Sequence, residues 1–258
     1  MKVVILAGGL GSRISEFTDK VPKPMINVGK YPIIWHIMKI YSYYGFNEFI
    51  ICLGYKSQII KDFFINYREK TNSLVVDTKT GNNKILSKRK KEDWKVHLIE
   101  TGDETMTGGR IKKIQHLIKE DNFCMTYGDG LSNININKLV SFHKKNKSIA
   151  TLTAVRPPER FGIVKLDKKS NVVGFSEKPI ISSEFINGGF FVLSKEIFKY
   201  LNSDKTIFEK QPLQKLSKNK KLKAFKHNGF WQCMDNLRDW ELLNQYWHQK
   251  KAPWKIWK

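Results

Sequence analysis

Short apolar runs alternate with helical periods along the first half of the chain. Lys2–Leu6 is an apolar, β-branched run of the kind that fills a buried parallel strand. Pro32–Tyr44 then places Ile33, Ile34, Ile37, Met38, Ile40, Tyr41 and Tyr44 at helical spacing, and Gly45 stands where a C-terminal cap belongs. Glu48–Leu53 predicts a second strand and Ser57–Lys70 a second helix. Trp94–Thr101 follows as a strand, Ile111–Lys119 as a helix and Phe123–Tyr127 as a strand. Val75–Ser87, turning at Gly81-Asn82-Asn83, predicts an inserted hairpin. The second half is richer in strands, at Ile149–Val155, Phe161–Leu166, Val172–Phe175 and Phe190–Leu193, with helices over Ser194–Leu201 and Asn236–Gln249. This order predicts one α/β domain over residues 1–258, with a mixed, mostly parallel sheet and small β extensions.

Composition narrows the setting. The 258 residues are 41% hydrophobic and 12% aromatic, which excludes wholesale disorder. Cys52, Cys124 and Cys233 are too few and too scattered for a disulfide framework or a thiolate metal site, so a reducing compartment is expected. The opening apolar run has about five residues before Gly8-Gly9, shorter than the ~7–15 of a signal core. No run of ~18 apolar residues occurs, and a cytoplasmic protein with no membrane partner is predicted. The 46 Lys and Arg outnumber the 24 Asp and Glu, for a formal net charge of +22. These cations are spread over several Lys- and Asn-rich segments, which favours a solvated surface over a nucleic-acid groove. Such a field also concentrates anionic substrates.

The candidate chemistry begins directly after the first strand. Gly8-Gly9-Leu10-Gly11-Ser12-Arg13 lets the backbone approach a ligand closely and turn several N–H groups toward phosphate oxygens. It is not a dinucleotide fingerprint, since Ser12-Arg13-Ile14 lacks the third glycine, and no phosphate loop of the G-x-x-x-x-G-K-[ST] type is present. Arg13 supplies a guanidinium fork, and Lys23, between Pro22 and Pro24, a point charge on a stiffened loop. Together they can bracket a nucleoside triphosphate.

Two carboxylates complete the pattern. Asp129, in Tyr127-Gly128-Asp129-Gly130, stands at the carboxyl end of a predicted strand, where open α/β sheets bind ligands. Asp235 is the later acid in a comparably apolar setting, ahead of a helix. Both could hold Mg²⁺ with triphosphate oxygens and water. Read singly, Asp129 could equally shape a turn and Asp235 could cap the helix beginning at Asn236. The six histidines show no metal-ligand spacing. Trp240, Trp247, Trp254 and Trp257, close together in sequence, point to packing on the domain or on a neighbouring subunit, and favour a homo-oligomer.

The glycine loop followed by Pro22-Lys23-Pro24 resembles the signature of the sugar-1-phosphate nucleotidyltransferases. Within them the chain is similar to the glucose-1-phosphate cytidylyltransferases, through Lys23-Pro24-Met25, Trp35-His36-Ile37, Gly54-Tyr55-Lys56, Thr107-Gly108-Gly109-Arg110 and Tyr127-Gly128-Asp129-Gly130. The likeness continues through Arg160-Phe161-Gly162, Asn187-Gly188-Gly189-Phe190-Phe191, Gly229-Phe230-Trp231, Met234-Asp235 and Ala252-Pro253-Trp254-Lys255, while Glu177-Lys178-Pro179 matches the wider family. Ser12 and Asn236 are mild departures, each standing where threonine is common.

The resemblance implies a Rossmann-like three-layer α/β/α fold, with a nucleotide-binding half to about residue 130 and a sugar-phosphate half with a helical tail beyond it. It implies transfer of CMP from CTP to glucose 1-phosphate, giving CDP-glucose and pyrophosphate, for deoxysugar and surface polysaccharide synthesis. Leu6, Ala7, Gly8, Gly9, Leu10, Gly11, Ser12, Arg13, Lys23 and Thr105 would bind the nucleotide. Arg110, Asp129, Lys178, Asn187 and Gly188 would face the sugar phosphate, and Asp129 and Asp235 the metal. Arg13, Lys23, Asp129 and Asp235 would carry catalysis. The phosphate machinery alone leaves UTP, dTTP or another phosphorylated acceptor open. From other classes, a basic nucleic-acid-binding protein and a nicotinamide-dependent oxidoreductase are the rivals.

Overall fold

A computed structural model describes residues 1–11, 14–86, 92–156, 163–176 and 184–257. Ser12, Arg13, Arg160-Phe161-Gly162 and Glu177-Lys178-Pro179 lie outside the described residues.

Among the described residues the architecture is a central sheet of eight strands. In chain order they are β1 (Val3–Leu6), β2 (Glu48–Leu53), β3 (Lys95–Glu100), β4 (Asn122–Tyr127), β5 (Ala150–Val155), β6 (Ile186–Asn187), β7 (Phe191–Ser194) and β8 (Leu222–His227). β1 lies between β4 and β2, with β3 beyond β2, all parallel. On the other side β4 pairs antiparallel with β7, β7 with β5, and β5 runs parallel to β8 at the far edge. β6 also pairs antiparallel with β5, so β6 and β7 are halves of one strand broken at Gly188–Phe190. The sheet is therefore mixed and mostly parallel, as the order of runs predicts.

Alternate residues of each strand feed two apolar layers, as the two-residue period requires. Val3, Ile5, Phe49 and Ile51 face α1 (Ile33–Tyr43) and the C-terminal segment. Val4, Leu6, Ile50 and Cys52 face α3 (Thr107–Lys113) and α5 (Gln211–Lys218). Gly45 follows α1 with φ +84°, the left-handed conformation of a helix stop. The predicted hairpin forms between Leu74–Val76 and Asn83–Ile85.

Several elements differ from the pattern. The helix predicted to Lys70 divides at Asn66 into α2 (Ser57–Ile65) and a short turn of helix, Tyr67–Thr71. The helix predicted over Ile111–Lys119 starts earlier, as α3, and ends in a 3-10 turn at Gln115–Leu117. Lys195–Tyr200 is likewise 3-10. The helices α4 (Ile136–Asn146) and α5 and the edge strand β8 stand where no element is predicted. Between Lys221 and His227 the cause is visible, because an edge strand with one open side carries lysines among its apolar positions.

The final helix α6 (Leu237–His248) and the segment after it pack on their own domain. Trp254 is fully buried against Phe230, Trp257 meets Trp35 edge-on, Trp247 meets His36, and Trp240 packs on Phe17. These tryptophans thus find their partners within the chain, which removes them as a ground for subunit contact. Among the described residues no helix is long and apolar enough to cross a membrane.

Two histidines are buried in this framework. His36 hydrogen-bonds the Val28 carbonyl at 2.9 Å through Nε2 and accepts from Trp254 Nε1 at 3.3 Å on Nδ1. A ring that accepts on Nδ1 is neutral. Burial, offset in part by the Val28 and Tyr31 backbone, pulls its pKa down to about 4. His143, between Thr151 and Asn122, is lowered by burial and by Lys144, also to about 4. The unfolded chain therefore binds these protons first, near pH 6.5, and stability present above that pH is lost as it falls toward 4. Calorimetry should show about 2.5–3 kcal/mol lost between pH 7.5 and 5.5 from the two together. A flat profile would contradict neutral, buried histidines.

Candidate active site

The site lies at the carboxyl ends of β1 and β4, the side on which a parallel sheet presents its loops. Leu6 accepts a hydrogen bond from the Gly128 N–H at 3.0 Å, and Ala7 donates to Cys52 at 3.0 Å, so the first residues of the glycine loop are fixed to both neighbouring strands. Gly128 has no room for a side chain, since a Cβ there would stand 2.8 Å from Pro24 Cγ. Gly11 has φ +67°, and a Cβ on it would meet Thr18 at 2.8 Å and Lys23 at 3.2 Å. The loop therefore closes down directly onto the segment that carries Lys23.

Lys23 opens a 3-10 turn, Lys23–Met25, behind Pro22. Its ammonium lies 2.7 Å from Asp129 Oδ2 and 2.6 Å from Asp235 Oδ1. Burial works against the charge on Lys23, but Asp129 and Asp235 outweigh it and raise its pKa above the ordinary value. The two carboxylates come from distant parts of the sequence, joined by a small antiparallel pairing of Gly130–Ser132 with Trp231–Cys233 and by the Met234 N–H on the Asp129 carbonyl at 2.9 Å. Sequence position thus predicts the three groups, and the structure brings them together around one point.

Asp235 does not cap the last helix. Asn236 does, accepting the Asp239 N–H at 3.0 Å. Asp239, buried in the first turn, takes the Asp235 N–H at 3.0 Å and Gln232 Nε2 at 3.0 Å, which fixes the backbone that presents Asp235. The sequence signal for Asp239 was an acid three residues after an Asn cap. Cys233 donates toward Asp235 Oδ2 at 3.6 Å; burial and then Asp235 and Asp129 push its thiol up to about 12, so it stays protonated and is no nucleophile.

Arg110 stands apart from Asn187. Its guanidinium is buried under the glycine loop, donating to the carbonyls of Leu53 at 2.8 Å, Gly8 at 2.9 Å and Asp103 at 3.2 Å, and to Thr101 Oγ1 at 2.6 Å. All these partners lie at or just beyond the carboxyl ends of β1, β2 and β3. Three of these four bonds go to backbone carbonyls and one to a hydroxyl, and Arg110 is a clamp between the ends of β1 and β2. Thr105 is buried close by, its hydroxyl accepting from Lys113 at 3.3 Å. Leu10, by contrast, is exposed. A Cβ on Gly8 would come within 2.1 Å of Arg110 Nη1. Gly8→Ala should therefore cost about 1–3 kcal/mol, as overpacking does, and raise the KM for nucleotide. Thermal melting and a nucleotide titration check this, and a variant that matches the parent in both would refute the close approach.

On the other side of the carboxylates, the strand shared by β6 and β7 is broken at Gly188 and Gly189, both of them buried. Gly188 donates its N–H to Thr153 at 2.8 Å, and its carbonyl accepts Trp231 Nε1 at 2.8 Å. Asn187 Oδ1 accepts the Gly189 N–H at 3.0 Å, and its Nδ2 reaches Tyr127 Oη at 3.4 Å. The glycine loop with Arg110 beneath it, Lys23 with its acid pair, and the broken strand with Asn187 thus meet at the carboxyl ends of β1 and β4.

A glycine loop, a lysine and paired carboxylates at the strand ends of a mixed α/β sheet suit the handling of a phosphorylated nucleotide. Residues 2–248 match the nucleotidyl transferase family, and the chain belongs to it. It is 46% identical to the glucose-1-phosphate cytidylyltransferase of Salmonella typhimurium over 258 residues, covering 100% of both chains. It is 45% identical over the same span to a probable glucose-1-phosphate cytidylyltransferase of Bacillus subtilis, again over 100% of both. Among solved structures, HddC from Yersinia pseudotuberculosis superposes with a TM-score of 0.69 at 25% identity, over 95% of this chain and 99% of that one. A UDP-glucose pyrophosphorylase complexed with UDP-glucose shares the fold at a TM-score of 0.66, covering 96% and 98%.

Proposed function

We propose that the chain transfers a cytidylyl group from CTP to glucose 1-phosphate, releasing pyrophosphate and CDP-glucose. The choice of nucleotide and acceptor is carried by the full-length likeness to the cytidylyltransferases. The chemistry is carried by one observation, the Lys23 ammonium set between Asp129 and Asp235 beneath the glycine loop.

Glucose 1-phosphate needs no general base, because the second pKa of a phosphate monoester is about 6 and the attacking oxygen is already ionised near pH 7. The site must instead hold two polyanions together and align the attack on the α-phosphorus opposite the departing pyrophosphate. The backbone from Leu6 to Gly11 receives the nucleotide, with Arg110 holding its carbonyls in place from below. Lys23 neutralises charge on the α-phosphate or the incoming phosphate. Arg13 grips the outer phosphates, Thr105 supports the base side, and Lys178, Asn187 and Gly188 face the sugar phosphate.

Asp129 and Asp235 fit a divalent cation. Their oxygens already converge on one positive charge, and two carboxylates leave room for the phosphate oxygens and water that Mg²⁺ prefers. When bound, Mg²⁺ would offset the charge of the triphosphate. Among the described residues no larger cluster of metal-ligating side chains occurs. A homo-oligomer remains implied by the family resemblance, and a monomer by light scattering at micromolar concentration would overturn it.

The test is pyrophosphate release with Mg²⁺ and glucose 1-phosphate, crossing CTP, UTP, dTTP and ATP. Release with CTP alone is expected. Release with a different nucleotide would keep the mechanism and overturn the base assignment. No release, with salt-sensitive binding of nucleic acid, would favour a basic binding protein instead.

A further inference from the structure

Glu209 lies outside every motif discussed above, in the turn before α5, yet it is held by two short hydrogen bonds. Tyr127 Oη donates to its Oε1 at 2.6 Å, and Thr107 Oγ1 donates to its Oε2 at 2.6 Å. A carboxylate only accepts, so both hydroxyl protons must point at it. Thr107 uses its remaining capacity to accept the Phe208 N–H at 2.9 Å, which ties Glu209 to the start of α3.

The consequence passes through Tyr127. With its proton committed to Glu209, the phenol offers only lone pairs to Asn187. The Asn187 amide therefore presents Nδ2 to Tyr127, at 3.4 Å, while Oδ1 takes the Gly189 N–H at 3.0 Å. A flipped amide would face lone pair to lone pair at one end and N–H to N–H at the other. The Tyr127 ring is itself fixed, because Gly189 packs against it so closely that a Cβ there would be 3.1 Å from Cδ2. Burial and Glu209 both raise the pKa of Tyr127, so the phenol keeps its proton. One N–H of the exposed Asn187 amide is left aimed outward, toward an acceptor such as a pyranose hydroxyl oxygen.

We propose that Glu209 is a positioning residue for the sugar: through Tyr127 it fixes the direction of the Asn187 amide, and so which hydroxyl pattern the acceptor must show. This rests on the assignment of Asn187 to the sugar side, and the experiment separates the two.

Steady-state kinetics are measured for Asn187→Ala, Glu209→Gln, Tyr127→Phe and their combinations, with CTP and glucose 1-phosphate varied in turn. Glutamine replaces an acceptor-only group with one donor and one acceptor at nearly the same volume, so the fold should persist. Glu209→Gln is expected to raise the KM for glucose 1-phosphate about tenfold, the worth of roughly one oriented hydrogen bond, with the KM for CTP within about twofold and Tm little changed. In the Asn187→Ala or Tyr127→Phe background the same substitution should add nothing further to the sugar KM. The relay is overturned if Glu209→Gln keeps its full effect without Asn187, shifts both KM values alike, or leaves the sugar KM unchanged while Asn187→Ala raises it. An unchanged sugar KM in Asn187→Ala overturns the assignment of Asn187 itself.

Discussion

Lys23→Met should lower turnover by about 10²–10³-fold while the protein still folds, because preorganised charge at a reacting phosphate is worth that much. Methionine keeps the length and the apolar stem but leaves Asp129 and Asp235 facing one another without a cation. Each stood within 2.7 Å of the ammonium, so their mutual repulsion is unmasked when it goes. Mg²⁺ should therefore raise the Tm of the variant more than that of the parent, since the metal restores the missing charge. Single-turnover pyrophosphate release separates this loss from slow product release. A rate within threefold of the parent would remove Lys23 from the chemistry.

Arg110→Met should be the most destabilising of these changes, by about 3–5 kcal/mol, with a fall in Tm of roughly 10 °C. The substitution strips the charged donor from the buried carbonyls of Leu53 and Gly8 and from the Thr101 hydroxyl, leaving Leu53 with Thr101 and Gly8 with the Tyr55 N–H alone. It also frees the glycine loop, so the KM for CTP should rise more than that for glucose 1-phosphate. A double variant gives a sharper check. Gly8→Ala should cost less in an Arg110→Met background, because the atom that a Cβ would strike is Arg110 Nη1. Strict additivity of the two losses would show that the clash lies elsewhere.

The sequence made the parallel part of the sheet legible because buried strands there are unbroken apolar runs, such as Val3–Leu6 and Glu48–Leu53. The elements that escaped it are those whose pattern is diluted by lysine. α4 buries Ile136, Leu139, Val140 and His143 at helical spacing, but its exposed face carries Lys138, Lys144 and Lys145. β8 has the same difficulty at a sheet edge. In the site, Lys23, Asp129 and Asp235 were visible as charged residues beside glycine, proline or apolar runs. What the sequence withheld was pairing over distance. Nothing local shows that Arg110 is consumed by the carbonyls of Leu53 and Gly8, or that Glu209 meets Tyr127. The tryptophans after Asp235 were legible as packing groups, for which a neighbouring subunit was the favoured partner, and tertiary packing set them instead on His36, Trp35, Phe17 and Phe230.

The distance between Lys23 and Asp235 has a consequence for how the protein is made. The two ion-paired residues are 212 positions apart. At about 5–20 residues per second, a ribosome completes Asp235 roughly 10–40 s after Lys23. Over that interval Lys23 lacks both carboxylates until residue 129 is made and lacks Asp235 thereafter, and His36 lacks the cover of Trp254. The nascent nucleotide half can build β1 to β4, but its cation has half of its counter-charge and its apolar face is open. The site that pairs Lys23 with Asp235 and the cover that Trp254 gives His36 are thus completed only when the last part of the sequence has been made.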